Sequence, residues 1–74
     1  MASATTYTFT VEGMHCGSCG MLIDETLEEL DGVHRASTSV RTGRATVEVD
    51  AARCTPEALA AAISEAGYTA RLEP

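Results

Sequence analysis

Residues 6–12 read Thr-Tyr-Thr-Phe-Thr-Val-Glu, a strict alternation of polar and apolar side chains. Successive side chains point to opposite faces of a β-strand, so Tyr7, Phe9 and Val11 share one face and the threonines share the other. Threonine, valine and the aromatic residues also favour strands. Gly13 follows as a breaker. The stretch therefore predicts a half-buried first strand that ends at Gly13.

The spacing of apolar residues changes to that of a helix after the loop that follows. Between residues 18 and 30, apolar side chains recur on one helical face. They are Cys19, Ile23, Leu27 and Leu30. Acidic residues cover most of the remaining positions, and Gly32 provides a C-terminal stop. This segment predicts a first helix with one buried face.

Further strand patterns lie in the second half of the chain. Residues 33–40 predict a weak strand, and residues 45–50 predict a stronger one in which apolar and polar side chains alternate. Residues 41–44 contain a glycine and predict the hairpin connection between these two strands. Residues 68–72 predict a last, short strand.

The second helix has clear signals at both ends. Thr55 is suited to cap its N-terminus, Pro56 fits the first helical position, and Glu57 favours the positive end of the helix dipole. Gly67 is predicted as its C-cap. The apolar stripe between these ends consists of Leu59, Ala62, Ile63 and Ala66.

The predicted element order is β-α-β-β-α-β. This order is typical of the ferredoxin-like α+β sandwich, a four-stranded antiparallel sheet with two helices on one face. A chain of 74 residues can build one small core, so we expect a single domain over residues 1–74 with its core at about 7–72. A large enclosed substrate cavity is not expected at this size.

Charge excludes two classes of partner. The chain has 11 acidic and 5 basic residues, which gives a net charge of −6. Nucleic-acid binding needs a positive surface that replaces phosphate counterions, and docking on an anionic membrane needs the same. No apolar run approaches the length of a membrane span. We therefore expect neither nucleic-acid binding nor membrane insertion.

Candidate chemistry is concentrated in Met14-His15-Cys16-Gly17-Ser18-Cys19, where the first strand passes into the first helix. Two thiols three residues apart at such a junction can face one common point. The backbone N–H groups and partial positive charge of a helix N-terminus lower the pKa of a nearby cysteine. The small residues Gly17, Ser18 and Gly20 are expected to keep the loop open. The pattern predicts a pair of exposed, reactive sulfurs.

The residues alone leave three uses of such a pair open. A structural zinc site needs four nitrogen or sulfur ligands, so His15, His34 or Cys54 would have to complete it. A thioredoxin-type redox pair also sits between a strand and a helix, but the aromatic surroundings of that family are missing. Thiolates also select Cu(I), which tolerates few ligands. Exposure suits this third use, because a thiolate of a partner can then attack the metal.

The stretch Gly13-Met14-His15-Cys16-Gly17-Ser18-Cys19 resembles the GMxCxxC signature of heavy-metal-associated domains. The resemblance extends to that family's first helix and its exit, to its central hairpin and to the loop before its last strand. The matching segments are Ile23, Leu27 and Leu30 with Asp31-Gly32-Val33, then Thr42-Gly43-Arg44-Ala45-Thr46-Val47, and Ala66-Gly67-Tyr68. A chain of this length resembles the bacterial CopZ-type copper chaperones of the family.

The resemblance implies a function in copper handling. A protein of this type would hold Cu(I) between two thiolates and deliver it by ligand exchange to the metal-binding domain of a copper-transporting P-type ATPase. No bond of a substrate is made or broken, so the expected protein is not an enzyme. The implied state without metal is a monomer, and a copper-bridged dimer stays open for the loaded form.

Transferred by position, the resemblance makes Cys16 and Cys19 the metal ligands. Met14 would pack under the loop and brace it, and Tyr68 would shield or tune the thiolates. His15 is expected to be an exposed loop residue, with a role as third ligand as the alternative. Zinc-exporting relatives usually carry an acidic residue beside the cysteines, and none stands there in this sequence. Copper is therefore favoured.

Cys54 is expected to have a different role from the other two cysteines. It precedes the capping residue Thr55, and Leu59 lies at the fourth helical position, which is the pattern of a hydrophobic staple. A reduced cysteine is also a common core residue. We predict that Cys54 packs in the core and does not bind metal.

The exposed side of the first helix is a candidate docking surface. Met21 and Leu22 lie off the apolar stripe and predict a small apolar patch beside the sulfurs. An acidic run follows, made of Asp24, Glu25, Glu28, Glu29 and Asp31. This run is expected to be a solvated face, and we hypothesise that it also docks a basic patch of the receiving protein.

The first residues show no basic segment followed by an apolar one, so the expected location is the cytoplasm, where thiols stay reduced. Three alternatives to a copper chaperone remain. The chain could be an excised metal-binding domain of a copper or heavy-metal ATPase, in which the same residues would act. A small dithiol oxidoreductase would use Cys16 and Cys19 for redox chemistry. A mercury carrier would bind another soft ion with the same thiolates.

Overall fold

The computed structural model describes residues 4–14 and 17–73. Its elements are β1 (Ala4–Glu12), α1 (Gly17–Glu28), β2 (Val33–Ser39), β3 (Arg44–Asp50), α2 (Pro56–Glu65) and β4 (Thr69–Leu72). The strands form a sheet in the order β2-β3-β1-β4, in which neighbouring strands are antiparallel. The predicted element order and the ferredoxin-like α+β arrangement are confirmed.

The alternation in β1 sets the register at the centre of the sheet. Phe9 lies opposite Ala45 on β3 and opposite Leu72 on β4. Phe9 and Val11 are buried, as predicted for the helix-facing side of the strand. Because the side-chain period of a strand is two residues, the threonines of β1 lie on the other face of the sheet.

The core lies between this face of the sheet and the two helices. Its largest fully buried side chains are Phe9, Ile23, Leu27, Leu59, Ile63, Val47 and Val49. Burying a side chain of this size contributes about 1.5–3 kcal/mol. The core is therefore mostly aliphatic, and the helix stripes at Ile23 and Leu27 and at Leu59 and Ile63 are confirmed.

α2 begins as predicted and ends one residue earlier than predicted. The Thr55 side chain accepts a hydrogen bond from the N–H of Ala58 at 3.2 Å, and Pro56 is the first helical residue. The C-cap is Ala66, and Gly67 follows it with a φ of 102°. The N–H of Tyr68 donates to the carbonyl of Ile63 at 3.3 Å, which closes the helix with a Schellman-type turn.

α1 ends at Glu28, two residues before the end of its predicted stripe. Leu30 lies in the following turn and still packs against the core. Gly32 has a φ of 91°, and a Cβ atom there would lie 2.9 Å from Cβ of Arg53. The chain turns sharply into β2 at a position where only glycine fits. The described helices include none that is both long enough and apolar enough to span a membrane.

Candidate metal centre

The predicted metal loop connects β1 to α1 at one end of the sheet. His15 and Cys16 lie outside the described residues. Met14 and Cys19 flank them and are described. The loop between β2 and β3 closes the same end of the sheet, where the N–H of Val11 donates to the carbonyl of Gly43 at 2.7 Å.

Met14 is partly buried and packs against the hydrophobic core. The preceding Gly13 has a φ of 98°, a conformation that residues with a side chain rarely adopt. This turn takes the chain out of β1 while the next side chain returns to the core. Met14 is therefore placed where it can brace the loop, and its role toward a metal stays a prediction.

Tyr68 lies against the start of the same loop. Its ring atom Cδ1 is 3.7 Å from the position that a Cβ atom of Gly13 would occupy. Tyr68 is partly buried and packs against the core. The turn at the end of α2 holds this residue in place, since its N–H is bonded to the carbonyl of Ile63. The fold thus brings Tyr68 to the first residue of the sequence motif.

Cys19 is the third residue of α1 and is partly exposed. Cys16 immediately precedes Gly17, the first helical residue, in the chain. No acidic side chain lies in the first turn of α1. The partial positive charge of the helix end is therefore not offset by a local carboxylate. Such an environment favours thiolate over thiol and suits a soft metal ion.

The sequence predicted that Gly20 would keep the metal loop open, and this prediction was wrong. Gly20 lies in α1 and is buried against β2. A Cβ atom at this position would lie 3.1 Å from the carbonyl oxygen of Thr38 and 3.2 Å from Cγ2 of Val40. A glycine in a helix lowers its stability relative to alanine, so its presence signalled close packing that the sequence reasoning missed.

The predicted apolar patch beside Cys19 is exposed. Met21 retains 67% of its accessible surface and Leu22 retains 48%. Both side chains lie in the first two turns of α1, close in sequence to Cys19.

The structure divides the acidic run of α1. Glu25 and Glu29 are exposed, as expected for a solvated face. Asp24 is partly buried beside Thr38, and Glu28 accepts a hydrogen bond from the backbone N–H of Ala36 at 3.2 Å. Asp31, beyond the helix, forms an ion pair with Arg53. Part of the run is thus involved in holding the fold together.

Asp24 experiences opposing influences on its pKa. Burial raises the pKa of its carboxyl, and the charge of Glu28 adds to this, while Thr38 lowers it. Asp24 Oδ1 and Thr38 Oγ1 are both buried, and neither has a hydrogen-bond partner among the described residues. Burial is the largest of these influences, so the pKa of Asp24 is raised overall.

Cys54 packs in the core, as predicted. It retains 4% of its accessible surface, and Leu59 is fully buried in the same cluster. Burial raises the pKa of the Cys54 thiol, and the negative charge of Asp31 raises it further. Within residues 4–14 and 17–73, no three histidine, cysteine or carboxylate side chains form a candidate metal cluster.

The sequence matches the family model described as heavy-metal-associated domain over residues 8–69. This match begins within β1 and ends at Thr69, the first residue of β4, so it includes all of α1, β2, β3 and α2. It includes the complete motif from Met14 to Cys19.

Several curated proteins are similar to this chain. The copper chaperone CopZ of Staphylococcus saprophyticus is 38% identical over 63 residues, which cover 85% of this chain and 93% of that protein. The mercuric transport protein periplasmic component of Shewanella putrefaciens is 33% identical over 73 residues, which cover 99% of this chain and 80% of that protein. Copper-transporting ATPase 1 of Mus musculus is 38% identical over 69 residues. The match covers 93% of this chain but only 5% of that ATPase.

Solved structures share the fold closely. A CopZ metallochaperone superposes with a TM-score of 0.87 at 28% identity, covering 90% of this chain and all of that one. Oxidized MerP from Ralstonia metallidurans superposes with a TM-score of 0.91 at 26% identity, covering 97% of this chain and all of that one. Structures of both kinds therefore share the fold of this chain.

Proposed function

Because the chain belongs to the heavy-metal-associated domain family, we propose that it is a metallochaperone that carries Cu(I) on Cys16 and Cys19. The observation that carries the proposal is the placement of the motif at the start of α1. Cys19 lies in a helical turn without a carboxylate, and Cys16 directly precedes that turn in the chain. Two thiolates at a helix N-terminus match the preference of Cu(I) for few, soft ligands.

In this proposal the copper ion is cargo and is passed on by ligand exchange. A thiolate of the receiving protein forms a bond to copper, and one of the two bonds to Cys16 or Cys19 then breaks. A second exchange completes the transfer. Copper stays Cu(I) throughout, so no electron acceptor is needed and the protein acts without catalysing a covalent reaction.

Met14 and Tyr68 support the site in different ways. Met14 packs on the core and would fix the loop from below. Tyr68, held against Gly13, would limit access of water and of competing ligands to the thiolates. His15 is proposed as an exposed neighbour of the ligands and not as a ligand itself.

The choice of copper over other soft ions rests on two arguments. The copper chaperone of Staphylococcus saprophyticus is 38% identical, and the match covers 93% of its own length. Zinc prefers four ligands, and Cys54, which would have been a candidate, is committed to the core. Mercury is the competing assignment, because Hg(II) is also soft and the mercuric transport protein of Shewanella putrefaciens is 33% identical.

The proposed receiver is the metal-binding domain of a copper-transporting P-type ATPase, met in the cytoplasm. Leu22 and Glu25 are exposed on α1, and the exposed Glu29 directly follows the helix, where its N–H still donates to the carbonyl of Glu25. The three residues follow one another at helical spacing. This docking stripe, as we call these three residues, begins beside Cys19 with an apolar side chain and continues with two charges. A basic patch on the receiver would complement it.

An anaerobic titration tests the metal assignment. The reduced protein competes for Cu(I) with a chromophoric chelator, and parallel titrations use Hg(II) and Zn(II). We expect tight uptake of about one Cu(I) per chain and weak zinc binding, as thiolate softness predicts. Cys16→Ser and Cys19→Ser should each abolish tight binding, whereas Cys54→Ala, the matched removal of a thiol, should leave it unchanged. Tight Hg(II) binding without competition for Cu(I) would assign the protein as a mercury carrier instead.

A further inference from the structure

One side of α1 follows the edge of the sheet. Gly20, Asp24 and Glu28 lie four residues apart and therefore on one side of the helix. Gly20 approaches Thr38 and Val40, Asp24 lies beside Thr38, and Glu28 is bonded to the N–H of Ala36. As residue numbers increase along α1, the contacted residues of β2 have decreasing numbers, so the two elements run in opposite directions.

The spacing of the two elements fits this contact. Four residues of a helix rise about 6 Å, and two residues of a strand rise about 6.6 Å. β2 is the strand at one end of the sheet order. Its outward groups would otherwise be open to pairing with another strand. α1 therefore covers the edge of β2 with the side that carries Gly20.

Glycine is needed at position 20 for space and not for backbone conformation. Its φ is not among the positive values found at Gly13, Gly32, Gly43 and Gly67. In a helix, glycine is less favourable than any residue except proline, so the position would otherwise suit alanine. A methyl group would come within 3.1 Å of the Thr38 carbonyl oxygen, which belongs to the backbone and cannot rotate away. The first turn of α1 would have to move outward by a few tenths of an ångström.

We propose that Gly20 is a positioning residue for the metal site, because it lets the first turn of α1 sit close to β2 and so fixes the adjacent Cys19. This inference rests on the proposed function only in assigning Cys19 as a metal ligand. Gly20 itself has no side chain that could bind a metal. Its effect is transmitted through the backbone of the turn that carries the thiol.

Four chains test the proposal: wild type, Gly20→Ala, Val40→Ala and the double variant. Shortening Val40 removes Cγ2, one of the two close atoms, and so serves as both control and partial relief. We expect Gly20→Ala to lower Cu(I) affinity about tenfold, the lower end of what changes next to metal ligands cost. Val40→Ala alone should change little, and the double variant should recover part of the loss. Circular dichroism checks that each chain is folded.

A metal-free measurement separates this inference from the proposed function. In a Cys16→Ser background, the alkylation rate of Cys19 by iodoacetamide is followed by peptide mass spectrometry, with and without Gly20→Ala. We expect the added methyl group to change this rate severalfold, even if the wild-type chain proves to bind mercury and not copper. Unchanged affinity and unchanged alkylation in a folded Gly20→Ala chain would overturn the inference. If Gly20→Ala does not fold, Val40→Ile adds a methyl group to the same contact from the strand side, and the same two readouts apply.

Discussion

The carboxylate of Glu28 accepts a hydrogen bond from the backbone N–H of Ala36 at 3.2 Å. This bond joins the last residue of α1 to the middle of β2, the strand at the edge of the sheet. It provides an acceptor for a partly buried N–H group of this strand. A residue in the acidic run is therefore a structural link between a helix and an edge strand.

Glu28→Ala should destabilise the fold, since it leaves the partly buried N–H of Ala36 without its partner. The expected loss is about 1 kcal/mol in the free energy of unfolding. Glu28→Gln retains an acceptor oxygen and should lose less. Urea unfolding of the three chains, followed by circular dichroism, measures the difference. Equal stability of Glu28→Ala and wild type would show that water replaces the carboxylate at no cost.

The sequence predicted the elements whose positions are set by burial. Phe9 and Ile23 are fully buried because the alternating strand and the helical stripe each have only one apolar face to bury. The ends of the helices were predicted less accurately, because a cap depends on hydrogen bonds among several residues. The C-cap of α2, for example, is Ala66 and not the predicted Gly67. The contact of Gly20, Asp24 and Glu28 with β2 was missed. A small residue and two acids at helical spacing resemble a solvated face, and only the tertiary structure reveals the strand edge beside them.

Asp24→Asn should make the protein more stable at neutral pH. Burial raises the pKa of Asp24 above its ordinary value of 3.8, so the ionised carboxylate is unfavourable in the folded state. This penalty is fully present above the folded-state pKa and disappears as the pH falls through that pKa toward 3.8. An asparagine carries no such penalty, and the expected gain is below about 1 kcal/mol.

The measurement for Asp24 is urea unfolding of both chains between pH 4 and pH 8. The stability difference should be largest near pH 8 and shrink as the pH falls. Glu25→Gln, which removes an exposed charge one position further along α1, is the matched control. A difference that stayed constant with pH would show that Asp24 is not the group responsible.

Cys54 should be protected from thiol reagents in the folded protein. Its side chain is 4% exposed, and burial raises the pKa of the thiol above 9.0. With Ellman's reagent at pH 8, we expect two of the three cysteines to react in the native reduced chain and the third to react only in denaturant. Because the unfolded thiol ionises first, stability should fall as the pH rises above 9.0. Three reactive thiols in the native chain would contradict the core assignment.

Two substitutions at Tyr68 distinguish the effect of its ring on the proposed site from the effect of its hydroxyl group. Tyr68→Phe keeps a ring that can lie against Gly13, whereas Tyr68→Ala removes it. If the ring shields the thiolates, Cu(I) should be lost to a competing chelator faster from Tyr68→Ala and at nearly the wild-type rate from Tyr68→Phe. Stopped-flow absorbance of the chelator complex measures both rates. Equal acceleration in the two variants would assign the effect to the hydroxyl.

The docking stripe predicts how transfer depends on charge. Glu25→Lys and Glu29→Lys reverse exposed charges without removing a contact of the kind that Glu28 makes. Each should slow Cu(I) transfer to the metal-binding domain of a copper ATPase severalfold at low salt, because complementary charge mainly raises the encounter rate. The slowing should fade as salt screens the interaction.

Glu57→Lys is the control for this prediction, since it makes the same charge change at the start of α2. α2 follows β3, which ends at Asp50, opposite Ala4 at the start of β1. Because α1 follows the end of β1, the start of α2 and Cys19 lie at opposite ends of the sheet. Transfer from Glu57→Lys should therefore stay close to the wild-type rate. If all three variants slow transfer equally, net charge and not the docking stripe governs encounter. If none does and salt has no effect, the partner recognises the apolar patch at Met21 and Leu22 alone.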